Sequence, residues 1–78
     1  MYIAILNKTQ DESRHQEILG LYREEENALE LICRLANLMQ RQSGFRKDPE
    51  STENSIYLKN GNLELHYWIL EKEVFEDE

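Results

Sequence analysis

The chain has 78 residues, enough for a single domain with one modest core but too few for a deep, walled active site. Sixteen acidic residues against nine basic ones give a formal charge of −7 at pH 7, which argues against direct nucleic-acid binding. This charge either favours a protein partner with a basic surface or simply keeps a small protein in solution. The single cysteine, Cys33, excludes an intrachain disulfide and a multi-cysteine metal site. We therefore expect one domain over residues 1–78, with no cofactor and no metal.

The N-terminal part of the chain predicts two strands. Residues 2–6 are apolar on both faces, which predicts an interior strand. Residues 7–16 are polar and predict a loop, and residues 18–22 predict a second strand in which Gly20 marks a bulge or a close backbone approach. The sequence shows neither the basic region of a signal peptide nor an apolar stretch long enough for a membrane span. We therefore expect a cytoplasmic protein that does not bind membranes.

A helix is predicted over residues 24–42, because apolar residues recur there at helical spacing. The apolar stripe consists of Ala28, Leu31, Ile32, Leu35, Leu38 and Met39, with Leu29 and Ala36 on one flank. Cys33 lies beside this stripe and is expected to pack in the core. Glu24, Glu25 and Glu26 occupy the first turn, where each carboxylate stabilises the helix by ~0.3–1 kcal/mol through its interaction with the helix dipole. Gly44 predicts the left-handed residue that ends the helix.

Residues 55–67 carry the clearest signal in the chain, two alternating strands around Asn60-Gly61. This dipeptide predicts a β-hairpin with a type I′ turn. In the resulting register the facing pairs are Lys59–Asn62, Leu58–Leu63, Tyr57–Glu64, Ile56–Leu65 and Ser55–His66. Residues 46–54 before the hairpin predict a loop, and its second strand is expected to reach residues 74–75. The acidic residues 76–78 then form a frayed tail.

These elements predict an α+β fold, a two-layer sandwich in which one long helix packs on a mostly antiparallel sheet of about four strands, in the order ββαββ. The helix can cover one face of that sheet and leaves the other face open. The hairpin residues that we expect to meet the helix are Ile56, Leu58, Leu63 and Leu65.

The opposite hairpin face is the candidate binding surface, because exposed aromatic and apolar side chains usually mark contact sites. Its partner-binding residues are Tyr57, Glu64, His66, Trp68 and Leu70. An acidic contact at the helix entry, formed by Glu24, Glu25 and Glu26, would complement a basic partner. Two alternatives stay open: the two faces are exchanged, or Trp68 caps the edge of the core.

A catalytic role for Ser55, His66 and Glu64 has less support in the sequence than the partner-binding role of the same face. The predicted register brings the three side chains together as a nucleophile, base and orienting acid would be. However, no glycine-rich elbow or oxyanion-hole segment accompanies them, and a flat sheet face excludes water poorly. Polar neighbours on a solvated strand are also common. We therefore expect a protein that is not an enzyme.

Two short motifs carry a resemblance to a known family. They are Gly20-Leu21-Tyr22 with Ala28, and Gly44-Phe45-Arg46 with Pro49. The chain resembles small uncharacterised domains encoded in bacterial and phage genomes, which show a G-[VIL]-Y…A helix entry followed by a G-F-R-x-x-P turn. The resemblance spans roughly residues 1–50 and assigns no catalytic residue. It implies a genomic setting rich in accessory proteins, namely phage inhibitors, antitoxins and immunity proteins.

The function hypothesis is a small acidic protein-binding module. Its leading form is a phage or mobile-element inhibitor of a host defence or nucleic-acid enzyme, of the anti-CRISPR kind. An immunity protein or antitoxin that neutralises a toxin is the first alternative. A homodimeric structural or regulatory domain, which would use the same face on a second copy, is the other.

Overall fold

The computed structural model describes residues 1–72. Within them the chain forms β1 (Tyr2–Gln10), β2 (Ser13–Tyr22), α1 (Glu25–Ser43), β3 (Arg46–Lys47), β4 (Ser55–Asn60) and β5 (Leu63–Glu71). Every strand pair is antiparallel, and the strands follow the order β2-β1-β5-β4-β3 across one sheet. The predictions for a strand through residues 74–75 and a frayed tail at residues 76–78 fall outside the described residues.

The predicted four-stranded ββαββ sandwich is wrong, because the sheet has five strands and provides more of the structure than the helix. Residues 7–16, predicted to be a loop, instead extend β1 and β2 into a long hairpin. Asp11 and Glu12 form its turn, and Asp11 has a φ of 53°, a left-handed conformation that Asp tolerates. The fifth strand is β3, where Arg46 and Lys47 pair with β4 inside another predicted loop.

The strand β2 contains a bulge next to Gly20. Ala4 pairs with Gly20 while the next residue of β1, Ile5, pairs with Ile18, so Leu19 is the extra residue. A Cβ atom on Gly20 would lie only 2.8 Å from the ring of Tyr22. The predicted bulge is therefore confirmed, whereas the close neighbour of Gly20 is a side-chain ring and not the backbone approach that was the alternative.

The helix α1 begins and ends within one residue of its predicted bounds. Gly44 ends it in the left-handed conformation, with φ 65° and ψ 24°, as predicted. The next residue, Phe45, donates its N–H to the Met39 carbonyl at 3.5 Å and buries its ring in the core. The helix does not combine the length and apolar content that crossing a membrane requires, and it is the one helix in the described part of the chain.

The core lies between α1 and one face of the sheet, which we call the helix face. Its buried residues are Ala4, Leu6, Ile32, Ala36, Phe45, Ile56, Leu58, Leu65 and Tyr67. The hairpin residues predicted to meet the helix do so, since three are buried and Leu63 is half-buried. The prediction that Cys33 packs in this core is wrong. The buried line of the helix runs through Ala28, Ile32 and Ala36, which leaves Cys33 exposed.

The hairpin register differs from the predicted one by two residues. Asn60 pairs with Leu63, so the two loop residues are Gly61 and Asn62. Gly61 has a φ of 61° and Asn62 does not have a positive φ, a sign pattern that belongs to a type II′ turn rather than type I′. A slip of two residues keeps every side chain on its predicted face. It changes the facing pairs to Lys59–Glu64, Leu58–Leu65, Tyr57–His66, Ile56–Tyr67 and Ser55–Trp68.

Candidate binding face

Alternate residues of all five strands point away from α1 and form what we call the open face. They are Ile3, Ile5, Asn7 and Thr9 of β1; Arg14, Gln16, Ile18 and Leu21 of β2; Arg46 of β3; Ser55, Tyr57 and Lys59 of β4; and Glu64, His66, Trp68 and Leu70 of β5. The five residues predicted to bind a partner are all among them. Their common face is confirmed, and their role in binding stays a prediction.

One half of the open face is apolar. Two rows of cross-strand neighbours form this apolar half, Leu21–Ile3–Leu70 and Ile18–Ile5–Trp68. Ile18 is 68% exposed, Leu21 58% and Leu70 41%, although all three are large aliphatic residues. Ile5 is only 5% exposed, between Ile18 and Trp68 on the neighbouring strands. The apolar half is therefore a continuous surface and not a set of isolated side chains.

Three rings stack along the open face, beginning with Trp68 at the edge of the apolar half. Tyr57 and His66 lie face to face, with 4.0 Å between the ring centroids and 6° between the ring planes. The ring of Trp68 also stacks on His66, with 6.0 Å between the ring centroids and 14° between the ring planes. The observed register produces this arrangement, because Tyr57 and His66 are direct cross-strand partners and Trp68 follows His66 on the same face. Such pairs stabilise a sheet by about 0.5–1.5 kcal/mol beyond their burial.

Two polar groups lie within the stack. His66 Nε2 is 2.8 Å from Ser55 Oγ, and burial lowers the pKa of His66, so the neutral imidazole is favoured. Trp68 Nε1 is buried and has no hydrogen-bond partner among residues 1–72. A buried N–H without an acceptor costs about 1–3 kcal/mol, so this indole N–H lowers the stability of the folded state.

The Ser55–His66–Glu64 group lacks the arrangement of a catalytic triad. Glu64 forms an ion pair with Lys59 at 3.4 Å, and no hydrogen bond joins it to His66 within the described chain. The imidazole therefore contacts a hydroxyl but has no acid to orient it. The hydrogen bond holds two strands together across a diagonal, which is a structural role.

The far end of the open face carries charge. Arg14, Thr9, Glu64, Lys59 and Arg46 form one row across all five strands, which we call the charged end. Sequence analysis missed Arg14 and Arg46 because both lie in segments predicted to be loops. Once strands are assigned there, period-two alternation and the strand pairing place Arg14, Ile18 and Arg46 on the open face. Sequence analysis did not place Ile18 and Leu21 on one face, because they are three residues apart and only the bulge at Leu19 brings both to the open face.

The predicted acidic contact lies elsewhere. Glu24 precedes α1, and Glu25 and Glu26 form its first turn, on the side of the sheet that the helix covers. The carboxylate of Glu71, and more weakly those of Glu25 and Glu24, raise the pKa of Tyr2, a residue of the helix face. These carboxylates therefore do not share a flat contact surface with Trp68. Any contact that these carboxylates make with a basic partner would therefore lie at a different surface from the open face.

Comparison with protein-family models, with curated proteins and with solved structures found no match. The described residues also hold no group of three His, Cys, Asp or Glu side chains that could bind a metal ion. The interpretation of the open face therefore rests on its own geometry and chemistry.

Proposed function

We propose that this chain is a non-enzymatic protein-binding domain that contacts its partner through the open face. The observation that carries the proposal is the exposure of Ile18, Leu21 and Leu70 in one surface with Trp68. Solvent-exposed apolar surfaces of this kind commonly mark protein contacts, and tryptophan is enriched among the residues that dominate binding energy.

The size of the open face supports a protein partner. Five strands spaced about 4.8 Å apart, with the longer ones about 30 Å long, present roughly 600 Å². A protein–protein contact of standard size buries about 800 Å² on each partner. The flat shape suits a second protein surface better than a small molecule, which is usually bound in a concave pocket.

A cytoplasmic location is part of the proposal. Cys33 is the single cysteine of the chain and its side chain is exposed. A reducing compartment keeps such a thiol free, whereas an oxidising one favours disulfide formation with other molecules.

The test compares two leucines of equal exposure. Leu70 is 41% exposed on the open face, and Leu38 is 40% exposed on the helix. Leu70→Glu and Leu38→Glu therefore add the same charge and remove the same apolar side chain at different sites. Affinity capture from the native host, followed by measured affinities for each captured protein, should show binding to wild type and to Leu38→Glu but not to Leu70→Glu.

The folded state of each variant is checked by far-UV circular dichroism and urea denaturation. If no captured protein discriminates between the two variants, the open face is not the binding surface and the proposal fails.

A further inference from the structure

We infer that the partner of the open face presents apolar side chains flanked by carboxylates, so that it is an acidic polypeptide surface. The inference rests on the proposed function and names the chemistry of the partner. It reverses the expectation of a basic partner, which was based on the formal net charge of −7 of the whole chain.

The sign of charge on the open face is opposite to that of the whole chain. Arg14, Arg46 and Lys59 occupy open-face positions at the charged end, and Glu64 is the one acidic residue at such a position in the described strands. The remaining described carboxylates belong to the helix, the turns and loops, or the helix face. Asp11, Glu12 and Asp48 lie within three residues of Arg14 or Arg46 along the chain, but they occupy turns and loops and not strand positions on the open face. The open-face strand positions themselves therefore carry three basic side chains and one acidic one.

Two of these basic groups are available to a partner. Lys59 and Glu64 neutralise each other at 3.4 Å. Arg14 and Arg46 are exposed, and neither has a carboxylate within ion-pair distance among residues 1–72. A guanidinium binds a carboxylate through two parallel hydrogen bonds, so each arginine fits one acidic side chain. The apolar half lies on the same face, which places apolar and acidic recognition side by side.

A second copy of the chain fits this face less well. With two copies face to face and a two-fold axis along the strands, Arg14 of one copy would lie towards Arg46 and Lys59 of the other. With the axis across the strands, the apolar half of one copy would lie on the charged end of the other. The first arrangement brings like charges together, and the second buries charge against apolar side chains without a counter-charge.

A single-stranded nucleic acid also fits less well, although it is anionic. Proteins that bind such strands stack bases on the free faces of aromatic rings. Here the rings of Tyr57 and His66 already cover each other, with 4.0 Å between centroids. The apolar half beside them is largely aliphatic and offers aliphatic side chains of a polypeptide a better contact than it offers bases.

The experiment selects peptides without assuming a sequence. A displayed library of random peptides is selected against the wild-type protein and depleted against Leu70→Glu, so that only peptides that need the open face remain. Because the chain carries a charge of −7, non-specific selection enriches basic peptides. Enrichment of Asp and Glu next to apolar residues is the expected result.

Charge reversal then locates the contact. Synthetic copies of the enriched peptides are titrated against wild type, Arg14→Glu and the control Arg41→Glu, which makes the same charge change on the helix. We expect Arg14→Glu to weaken binding roughly tenfold, and Arg41→Glu to change it by less than about twofold. Affinity for wild type should also fall as salt is raised.

The outcomes separate the two proposals. Basic peptides that depend on Leu70 would overturn the acidic partner and leave the protein-binding function standing. If no selected peptide depends on Leu70, both proposals fail. Tighter binding to an oligothymidine than to every selected peptide, or self-association in sedimentation that Leu70→Glu abolishes, would also overturn the acidic polypeptide as the occupant.

Discussion

The ring of His66 is held between Tyr57, stacked at 4.0 Å, and the diagonal hydroxyl of Ser55, whose Oγ lies 2.8 Å from Nε2. Both contacts depend on the register of the hairpin, since Tyr57 faces His66 directly and Ser55 lies two residues before Tyr57 on the same face of β4. The contacts fix the imidazole at the sheet surface, where burial lowers its pKa. The folded state therefore favours the neutral ring.

Stability should fall when the solution is acidified through the pKa of an ordinary histidine. The pKa of His66 is lower in the folded state than its usual value near 6.5, so the unfolded chain binds the proton more readily. The stabilisation is complete above about pH 7.5 and is progressively lost as the pH falls below about 6.5. Urea denaturation at intervals between about pH 7.5 and 5.5 measures this loss, above the range in which most carboxylates titrate.

His66→Gln should flatten that pH dependence, because glutamine keeps a polar side chain but does not titrate. The exposed His15 provides the matched variant, His15→Gln, which should retain the wild-type slope. An equal slope in wild type and His66→Gln would show that other groups cause the pH dependence.

Trp68→Phe should be far less destabilising than Trp68→Ala. Phenylalanine keeps an aromatic ring and removes the buried N–H that lacks an acceptor, which recovers part of a penalty of about 1–3 kcal/mol. We expect the free energy of unfolding to change by less than about 1 kcal/mol for Phe and to fall by about 2 kcal/mol for Ala. The alanine estimate is below the ~3–5 kcal/mol of a fully buried tryptophan because Trp68 is half-buried.

Urea denaturation followed by circular dichroism measures both variants, since each removes the single tryptophan of the chain. An equal loss of stability for Phe and Ala would mean that the indole N–H makes a favourable interaction.

The faces of the hairpin could be predicted from sequence, but its register could not. Alternation of apolar residues assigns faces, and a slip of two residues leaves that alternation unchanged. Asn60-Gly61 suits a type I′ turn, while the overlapping Gly61-Asn62 suits type II′. The second choice places Lys59 opposite Glu64 and aligns Tyr57 with His66, and these cross-strand interactions favour the observed register.

The long β1–β2 hairpin could not be predicted from hydrophobicity, because residues 7–16 are polar. These residues continue the strands because β5 offers nine residues of backbone to pair with, and β1 pairs along its full length. The local side chains also agree with the pairing. Gln16 Nε2 donates to Asn7 Oδ1 at 2.9 Å, and Lys8 lies 3.7 Å from Glu17. Charged and amide side chains that pair across the two strands indicate the longer hairpin. They can be recognised in the sequence only after a register has been assumed.

Gly44→Ala should destabilise the protein through its backbone alone. The residue has a φ of 65°, and a Cβ atom there would meet nothing within 4 Å, so no steric contact contributes. A left-handed conformation costs an alanine about 1–2 kcal/mol. Gly44→Asn should cost less, because asparagine tolerates that conformation better. Thermal and urea denaturation should rank the stabilities as Gly, then Asn, then Ala. Equal stabilities of the Asn and Ala variants would contradict the backbone explanation.

Gly20→Ala should destabilise the protein through one neighbour, the ring of Tyr22. An added Cβ would lie 2.8 Å from Cε2 and 2.9 Å from the hydroxyl of that ring, closer than non-bonded atoms tolerate. The clash is with the end of a side chain and can be relieved by moving the ring out of its site, so we expect a loss of about 1 kcal/mol, at the low end for overpacking. In a Tyr22→Ala background the same substitution should cost almost nothing. A double-mutant cycle by urea denaturation measures this coupling, and an undiminished cost in the Tyr22→Ala background would assign the strain to the bulged backbone instead.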